Sequence, residues 1–235
     1  MKNRIGIFDS GIGGTTTLKE IINILPNEDY IYYSDTKNNP YGSKSDEELY
    51  KIVSSIVKKL LKKKVKIIVI ACNTATTKCI KRLREEFKDI MFVGTEPAIK
   101  VACDKNYKNT LILATPGTIS SDRTKQLIQD NKKDFENLYL VSCDKLANAI
   151  ERNDKKEIKE ILDNYLIPYQ EKNIDAIVLG CTHYPLVKDE IQQYFKNAEI
   201  IDGNKGVAKR VKYLLETNNL ENKDGKSDVE FIKTK

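Results

Sequence analysis

Short apolar runs alternate along the chain with longer stretches in which apolar residues recur every three or four positions, the pattern of buried strands followed by amphipathic helices. Residues 4–8 read as a first strand, which ends at Asp9-Ser10-Gly11-Ile12-Gly13-Gly14 before a helix over roughly 15–25. Residues 30–34 form a second strand, ending in Asp35-Thr36 and the turn Pro40-Tyr41-Gly42. A helix over about 45–62 leads to a third apolar run at 65–71, followed by a helix at about 74–87 and a short strand at 90–94. The pattern then restarts. A strand at 110–114 ends at Thr115-Pro116-Gly117-Thr118, a helix covers about 119–132, and a strand at 138–142 ends at Cys143-Asp144. A helix over about 154–171 precedes the apolar run 174–180, and a helix at 185–196, a strand at 199–202 and a helix at 206–216 complete the periodic part. From residue 218 onward the chain is polar with weak periodicity, and the expectation is a frayed tail.

Strands alternating with helices indicate doubly wound parallel sheets. The restart indicates two of them: Asp9 precedes Cys72 by 63 residues and Thr115 precedes Cys181 by 66, with little residue identity outside the strand ends. No linker rich in Gly, Pro or Ser separates the halves, so the expectation is a broad shared interface with a cleft.

The two matching apolar runs carry the chemistry. Val-Lys-Ile-Ile-Val-Ile-Ala leads into Cys72-Asn73-Thr74, and Ile-Asp-Ala-Ile-Val-Leu-Gly leads into Cys181-Thr182-His183. A continuous apolar run suits a central parallel strand buried on both faces. Its following residue sits at the strand's carboxyl end, where open α/β sheets bind ligands. Asn73 and Thr74 are expected to cap the next helix, and Pro185 suits the first turn of the other. A thiol at a helix N-terminus is biased towards thiolate. A single cysteine after an apolar run is ordinarily a small core hydrophobe. Two in corresponding positions of two related units point instead to a shared task.

Composition narrows the task. The 235 residues contain five cysteines without a C-x-x-C pair, which fits a reducing compartment better than a disulfide framework. With one histidine in the chain, no metal site is expected. The net charge of +6 comes mainly from lysines on helical faces, without the arginines and interleaved aromatics of a nucleic-acid surface. No apolar run approaches membrane-spanning length and no signal peptide precedes the first strand, so a cytoplasmic protein without membrane attachment is expected. The turn after strand one matches neither G-x-G-x-x-G nor G-x-x-x-x-G-K-[ST], and Asp9 at its mouth would repel phosphate. Its glycines are read as letting the backbone approach a small ligand.

Two thiols facing one small molecule suit inversion of a stereocentre, in which one removes a Cα proton and the other delivers one. A hydrolase needs a single nucleophile with a base beside it.

At this point the chain resembles a known family. Asp9-Ser10-Gly11-Ile12-Gly13-Gly14, Pro40-Tyr41-Gly42, Ala71-Cys72-Asn73-Thr74-Ala75, Glu96-Pro97-Ala98-Ile99-Lys100 and Gly180-Cys181-Thr182-His183-Tyr184-Pro185-Leu186 are similar, in order, to the motifs of cofactor-independent glutamate racemases of the aspartate/glutamate racemase superfamily. The similarity covers residues from about 4 to 215. It implies two flavodoxin-like α/β domains related by a pseudo-twofold axis with the active site between them, the first made of residues 1–95 plus 205–235 and the second of 96–204. It implies Cys72 and Cys181 as the acid/bases acting on the D- and L-enantiomers respectively, Asp9 supporting Cys72, and His183 with Glu151 supporting Cys181. Substrate glutamate would be held by Asp9, Ser10, Tyr41, Gly42, Asn73, Thr74, Thr118, Thr182 and His183. No pyridoxal phosphate or other cofactor would be needed, the enzyme would be a homodimer, and D-glutamate would go to peptidoglycan.

The chain departs from the family pattern at several places. Asn38 stands where the loop before Pro-Tyr-Gly usually has arginine, Arg123 where a tyrosine is often found, Cys143-Asp144-Lys145 where Cys-Pro-Leu is usual, and Ile201-Asp202-Gly203-Asn204 where Ile-Asp-Ser-Gly is usual. These keep open a racemase of aspartate or another amino acid, and a non-catalytic amino-acid-binding paralogue. Cys79, Cys103 and Cys143 are read as thiols without a chemical role.

Overall fold

A computed structural model of the protein describes residues 4–225 and 227–234. Residues 1–3, 226 and 235, part of the range assigned above to the first domain, lie outside the described residues. In chain order the elements are β1 Arg4–Asp9, α1 Thr15–Ile24, β2 Asp29–Ser34, α2 Asp46–Lys62, β3 Val65–Ile70, α3 Asn73–Glu86 and β4 Met91–Gly94. Then come α4 Ile99–Asp104, β5 Asn109–Ala114, α5 Pro116–Ile119, α6 Asp122–Asn131, β6 Asn137–Ser142, α7 Leu146–Glu151, α8 Lys155–Leu166, β7 Ala176–Gly180, α9 Lys188–Gln192 and β8 Glu199–Ile201. The chain ends with α10 Asn204–Thr217 and β9 Val229–Lys233. It divides into two compact units, Met1–Thr95 with Asn204–Lys235, and Glu96–Gly203.

The first unit is built on a five-stranded sheet of order β4-β3-β1-β2-β9, every paired neighbour parallel. Alternation along the central strands feeds both faces. Ile5 and Ile7 of β1 and Ile67 and Val69 of β3 pack with Leu18 and Ile21 of α1 and Val207, Val211 and Leu215 of α10. Phe8, Ile68 and Ile70 pack on the other side with Leu49, Val53 and Val57 of α2 and Leu83 of α3. The second unit repeats the plan with order β6-β5-β7-β8, again all parallel. Leu111, Leu113, Ile177 and Leu179 face Leu146, Ile158 and Leu162, while Ile112 and Val178 face Ile99 and Ala102. Residues buried on both faces explain why β3 and β7 read as continuous apolar runs.

Several elements differ from expectation. The helix expected over 119–132 is two: the Thr115 hydroxyl accepts the Thr118 N–H and closes one short turn, and Ser121 then accepts from Thr124 N–H and starts α6. The helix expected over 154–171 stops at Leu166, and Pro168 lies in a 3-10 turn over Ile167–Tyr169. After Cys181 a 3-10 turn over Tyr184–Val187 comes before the short α9. The Gln192 side chain donates to the carbonyls of Phe195 (2.7 Å) and Ala198 (3.0 Å), which helps end that helix. Asn73 and Thr74 are the first residues of α3 rather than its cap, which is Cys72. Helices α4 and α7, six residues each, were too short to leave a periodic signal.

The largest difference is the tail. Instead of fraying, β9 pairs with β2 from Tyr30↔Val229 to Ser34↔Lys233. The connection to it is tied down from below by a buried ion pair, Lys66–Glu28 at 2.5 Å. Lys66 Nζ also donates to the Leu220 carbonyl (2.6 Å), and Glu28 Oε1 accepts from Asn222 N–H (2.8 Å). Glu230 of β9 pairs with both Arg4 and Lys63, at 2.5 Å each. A short edge strand that carries Glu230 and Lys233 among its five residues, with no strict alternation, hides its pairing from a hydrophobicity pattern. Among the described residues no helix is long and apolar enough to cross a membrane.

Removing one member of a buried ion pair strands the other charge, so Lys66→Met is expected to lower stability by about 3–5 kcal/mol. Lys66→Met combined with Glu28→Leu should recover most of that loss. Urea unfolding midpoints of the two variants check both expectations, and equal midpoints would contradict them.

Candidate active site

In the first unit, backbone pairing carries the strand ends out side by side. Ala71 N–H donates to Phe8 C=O (2.9 Å), Asp35 N–H to Asp9 C=O (2.9 Å) and Thr95 N–H to Ile70 C=O (3.1 Å). Asp9, Ser34-Asp35, Cys72 and Thr95 therefore emerge at one edge of the sheet. Asp9 is fully buried, and its Oδ2 accepts from Gly11 N–H (3.2 Å) and Gly14 N–H (3.0 Å), so the turn wraps around the carboxylate. Gly14 is required by this packing. A Cβ there would lie 2.6 Å from Asp9 Cβ, 2.8 Å from the Tyr32 hydroxyl and 2.9 Å from Ala71 Cβ. The close approach is thus to the protein's own side chains, a correction to the reading of that glycine as room for a ligand.

Cys72, 6% exposed, is the N-cap of the 14-residue α3. The helix dipole at this end favours negative charge. Tyr41 is buried, with its hydroxyl donating to Asp35 Oδ2 (2.8 Å). Burial, then the adjacent Asp35 and more distantly Cys72 and Asp9, raise the Tyr41 pKa far above the ordinary phenol value, which keeps it a hydrogen-bond donor. Asn38 Nδ2 donates to both Asp35 oxygens, at 3.0 and 2.9 Å, from the position where the family pattern has arginine. Gly42 faces open space. Ser10 and Thr74 are buried beside the turn and in the first turn of α3.

Three polar atoms at this edge are buried and find no hydrogen-bond partner among the described residues: Asn73 Nδ2, Ser34 Oγ and Thr95 Oγ1. Leaving such a group unsatisfied costs about 1–3 kcal/mol. Their clustering at one edge of one sheet marks a place made for polar company.

The second unit supports its cysteine differently. Gly180 pairs with Ala114 across β7 and β5, and a Cβ on Gly180 would lie 2.7 Å from Ala114 Cβ. Cys181 follows, 8% exposed. It does not stand at the start of a long helix. Instead His183 Nδ1 lies 3.8 Å from Cys181 Sγ and 3.5 Å from Thr182 Oγ1, and His183 Nε2 lies 2.7 Å from Glu151 Oε1. With Nε2–H donated to Glu151, Nδ1 is left to accept the thiol proton, the arrangement in which a carboxylate sets the tautomer of a working histidine. Glu151 reaches this position as the last residue of α7, whose start is shaped by Lys145 in a left-handed conformation (φ 65°).

Thr118 is fully buried, and its hydroxyl accepts from Thr115 Oγ1 at 3.0 Å, which engages it in the local turn. Arg123 forms a two-pronged pair with Glu96 (Nε–Oε1 2.7 Å, Nη2–Oε2 2.9 Å), so the family's usual tyrosine position holds an ion pair here. Cys143 lies against Tyr184, whose hydroxyl donates to the Cys143 carbonyl at 3.0 Å.

The structure therefore groups Asp9, Ser10, Tyr41, Gly42, Cys72, Asn73 and Thr74 at one sheet edge, and Glu151, Cys181, Thr182 and His183 at the other. Asp35, Ser34 and Thr95 were not among the expected residues. They too sit at strand ends, those of β2 and β4, so the same position that marks the cysteines marks them.

Residues 14–211 match the family described as Asp/Glu/hydantoin racemase. The chain belongs to that family. A glutamate racemase from Clostridium botulinum is 43% identical over 237 residues, covering 98% of this chain and 92% of its own. Among solved structures, a glutamate racemase isoform from Bacillus anthracis superimposes with a TM-score of 0.87 at 28% identity, covering 100% of this chain and 90% of that one. The glutamate racemase of Francisella tularensis, solved in complex with D-glutamate, gives 0.85 at 33% identity, with 100% and 89% coverage. The racemase-family chain is an isomerase, an amino-acid racemase, on two parallel-sheet units.

The remaining thiols are shielded. Burial pushes Cys143 up to about 12, with the neighbouring Cys181 sulfur adding to it, and burial does the same to Cys79, also to about 12. Alkylation requires thiolate. In the native protein at pH 8, iodoacetamide should leave Cys79 and Cys143 unmodified, as read by peptide mass spectrometry, until denaturant is added. Labelling of either at the rate of a free thiol would contradict this.

Proposed function

We propose that the protein is a glutamate racemase that inverts Cα by a two-thiol mechanism, with Cys72 and Cys181 as the paired acid and base. The observation that carries the reading is the matched placement of the two cysteines, each at the carboxyl end of a fully buried interior strand of its own parallel sheet. In the direction from D- to L-glutamate, Cys72 as thiolate takes the Cα proton and Cys181 as thiol donates its proton to the opposite face. The product leaves with Cys72 protonated and Cys181 as thiolate, the state needed for the reverse reaction. The two thiols are therefore interchangeable in function, although their supports differ.

Asp9 lies on the Cys72 side and the His183–Glu151 pair on the Cys181 side, where the imidazole can hold the thiol proton between turnovers. The unpaired Asn73 amide and the Ser34 and Thr95 hydroxyls, together with the helix N-terminus at Cys72, supply donors for a substrate carboxylate. Proton abstraction from an amino acid has a high barrier, and fixed donors that meet the developing charge are the main means available to these side chains for lowering it. Glutamate as the substrate is supported by the relatives named glutamate racemase. Ser10, Tyr41, Gly42, Thr74, Thr118 and Thr182 complete the proposed binding set. We further propose a cytosolic homodimer that supplies D-glutamate for peptidoglycan, and five buried cysteines with no disulfide among the described residues accord with a reducing compartment.

Proton NMR in D₂O without added pyridoxal phosphate tests the reading, by following loss of the Cα proton from L-glutamate, D-glutamate and L-aspartate in parallel. Exchange from both glutamate enantiomers is expected, and none from aspartate. Exchange from aspartate alone would retain the mechanism and overturn the substrate, and no exchange from any in a folded sample would overturn both. Cys72→Ser and Cys181→Ser are each expected to abolish two-way racemization with the fold intact by circular dichroism. Full activity in either would end the two-thiol assignment.

A further inference from the structure

The strand that was expected to fray ends beside the candidate site of its own unit. Thr234, directly after β9, donates its N–H to the Ser34 carbonyl at 3.0 Å, continuing the ladder with β2. Its side chain then leaves the ladder. Thr234 Oγ1 donates to Asp35 Oδ1 (3.0 Å) and accepts from Lys37 N–H (3.0 Å), while its carbonyl accepts from Thr36 Oγ1 (2.6 Å). Asp35 is 1% exposed, and its other oxygen receives the Tyr41 hydroxyl at 2.8 Å.

A buried carboxylate with few donors is held in orientation by each of them. Asp35 has the Asn38 amide across both oxygens, Tyr41 on one and Thr234 on the other. The Thr234 hydroxyl is thus one of three side-chain groups that hold this carboxylate. We propose that Thr234 is a positioning residue for the substrate loop: through Asp35 it sets Tyr41, and with it the turn Tyr41-Gly42. The inference rests on the reading of Tyr41 and Gly42 as substrate-binding. The same hydroxyl also anchors the start of the loop at Lys37, so both approaches to Tyr41 depend on one side chain.

The test uses the full chain. Thr234→Val keeps the shape and removes the hydroxyl, and Thr234→Ser restores it; Thr234→Ala replaces the valine variant if that one does not fold. Loss of one hydrogen bond to a buried carboxylate is expected to raise KM for glutamate about fivefold, with kcat changed less. Thr234→Ser should return KM to within about twofold of the parent. Hydrogen exchange over residues 36–43 should quicken in Thr234→Val and return in Thr234→Ser. In a Tyr41→Phe background the valine substitution should add only part of its own effect to KM, because the path through the Tyr41 hydroxyl is already lost while the Lys37 anchor is not. Parent-like KM and loop exchange in Thr234→Val would overturn the proposal. So would a KM effect that Thr234→Ser does not rescue, or one that adds in full to Tyr41→Phe. If the parent exchanges no Cα proton from any of the amino acids, the racemase reading is what has failed, and loop exchange alone then decides the role of Thr234.

Discussion

Everything at the candidate site depends on parallel strand pairing. Parallel neighbours send their carboxyl ends in one direction, and in a strand buried on both faces a one-residue shift would exchange the side chains packed on the two sides and draw the polar residue after the strand into the sheet. The hydrogen bond from Ala71 to Phe8 and the pairing of Gly180 with Ala114 fix where β3 and β7 stop relative to their neighbours. Cys72 and Cys181 inherit their places from that ladder. Gly14 and Gly180 follow from the same constraint, since strand ends held this close leave no room for a Cβ, with Ala71 and Asp9 against one and Ala114 against the other.

Two units with one plan nonetheless prepare their thiols by different means. Cys72 caps a long helix, and its surroundings are backbone N–H groups and a carboxylate held by two more. Cys181 precedes only a 3-10 turn, and its support is an imidazole aligned by Glu151. The difference has a structural origin. After Cys181 the chain takes a 3-10 turn over Tyr184–Val187 with Pro185 in its first positions, and His183 is the residue that caps it, next but one to the thiol. The proposed two-thiol reaction does not require identical groups, only thiols of comparable proton affinity, and helix dipole and imidazole are separate routes to that end.

The first unit also shows how a surface element can reach a buried site. The charged edge strand β9 adds little apolar burial, with Phe231 63% exposed, yet its backbone closes the β2 edge and its ion pairs reach Arg4 and Lys63. At its other end Thr234 meets Asp35. Stability at the base of the sheet, from Lys66 and Glu28, and order at its working end thus meet in one segment.

The periodicity of the chain by itself determined the alternation of strands and helices, the two-unit plan and the positions of the catalytic candidates, because those features are local: a buried strand must be apolar along its whole length, and the residue after it is read directly. The resemblance to the family's motifs, rather than the periodicity, singled out Asp9, Tyr41, Asn73 and His183. What the periodicity left open depends on partners far away in sequence. That β9 is a strand follows from an edge more than 190 residues earlier. Glu151 reaches His183 through a six-residue helix too short to show a period, and Asp35 becomes significant only when Asn38, Tyr41 and Thr234 are seen to converge on it. The split of the helix over 119–132 was decided by serine and threonine hydroxyls competing for backbone N–H groups, a balance that hydrophobic spacing does not record. Local pattern set the framework, and long-range hydrogen bonding, which only tertiary structure supplies, decided how each thiol is supported.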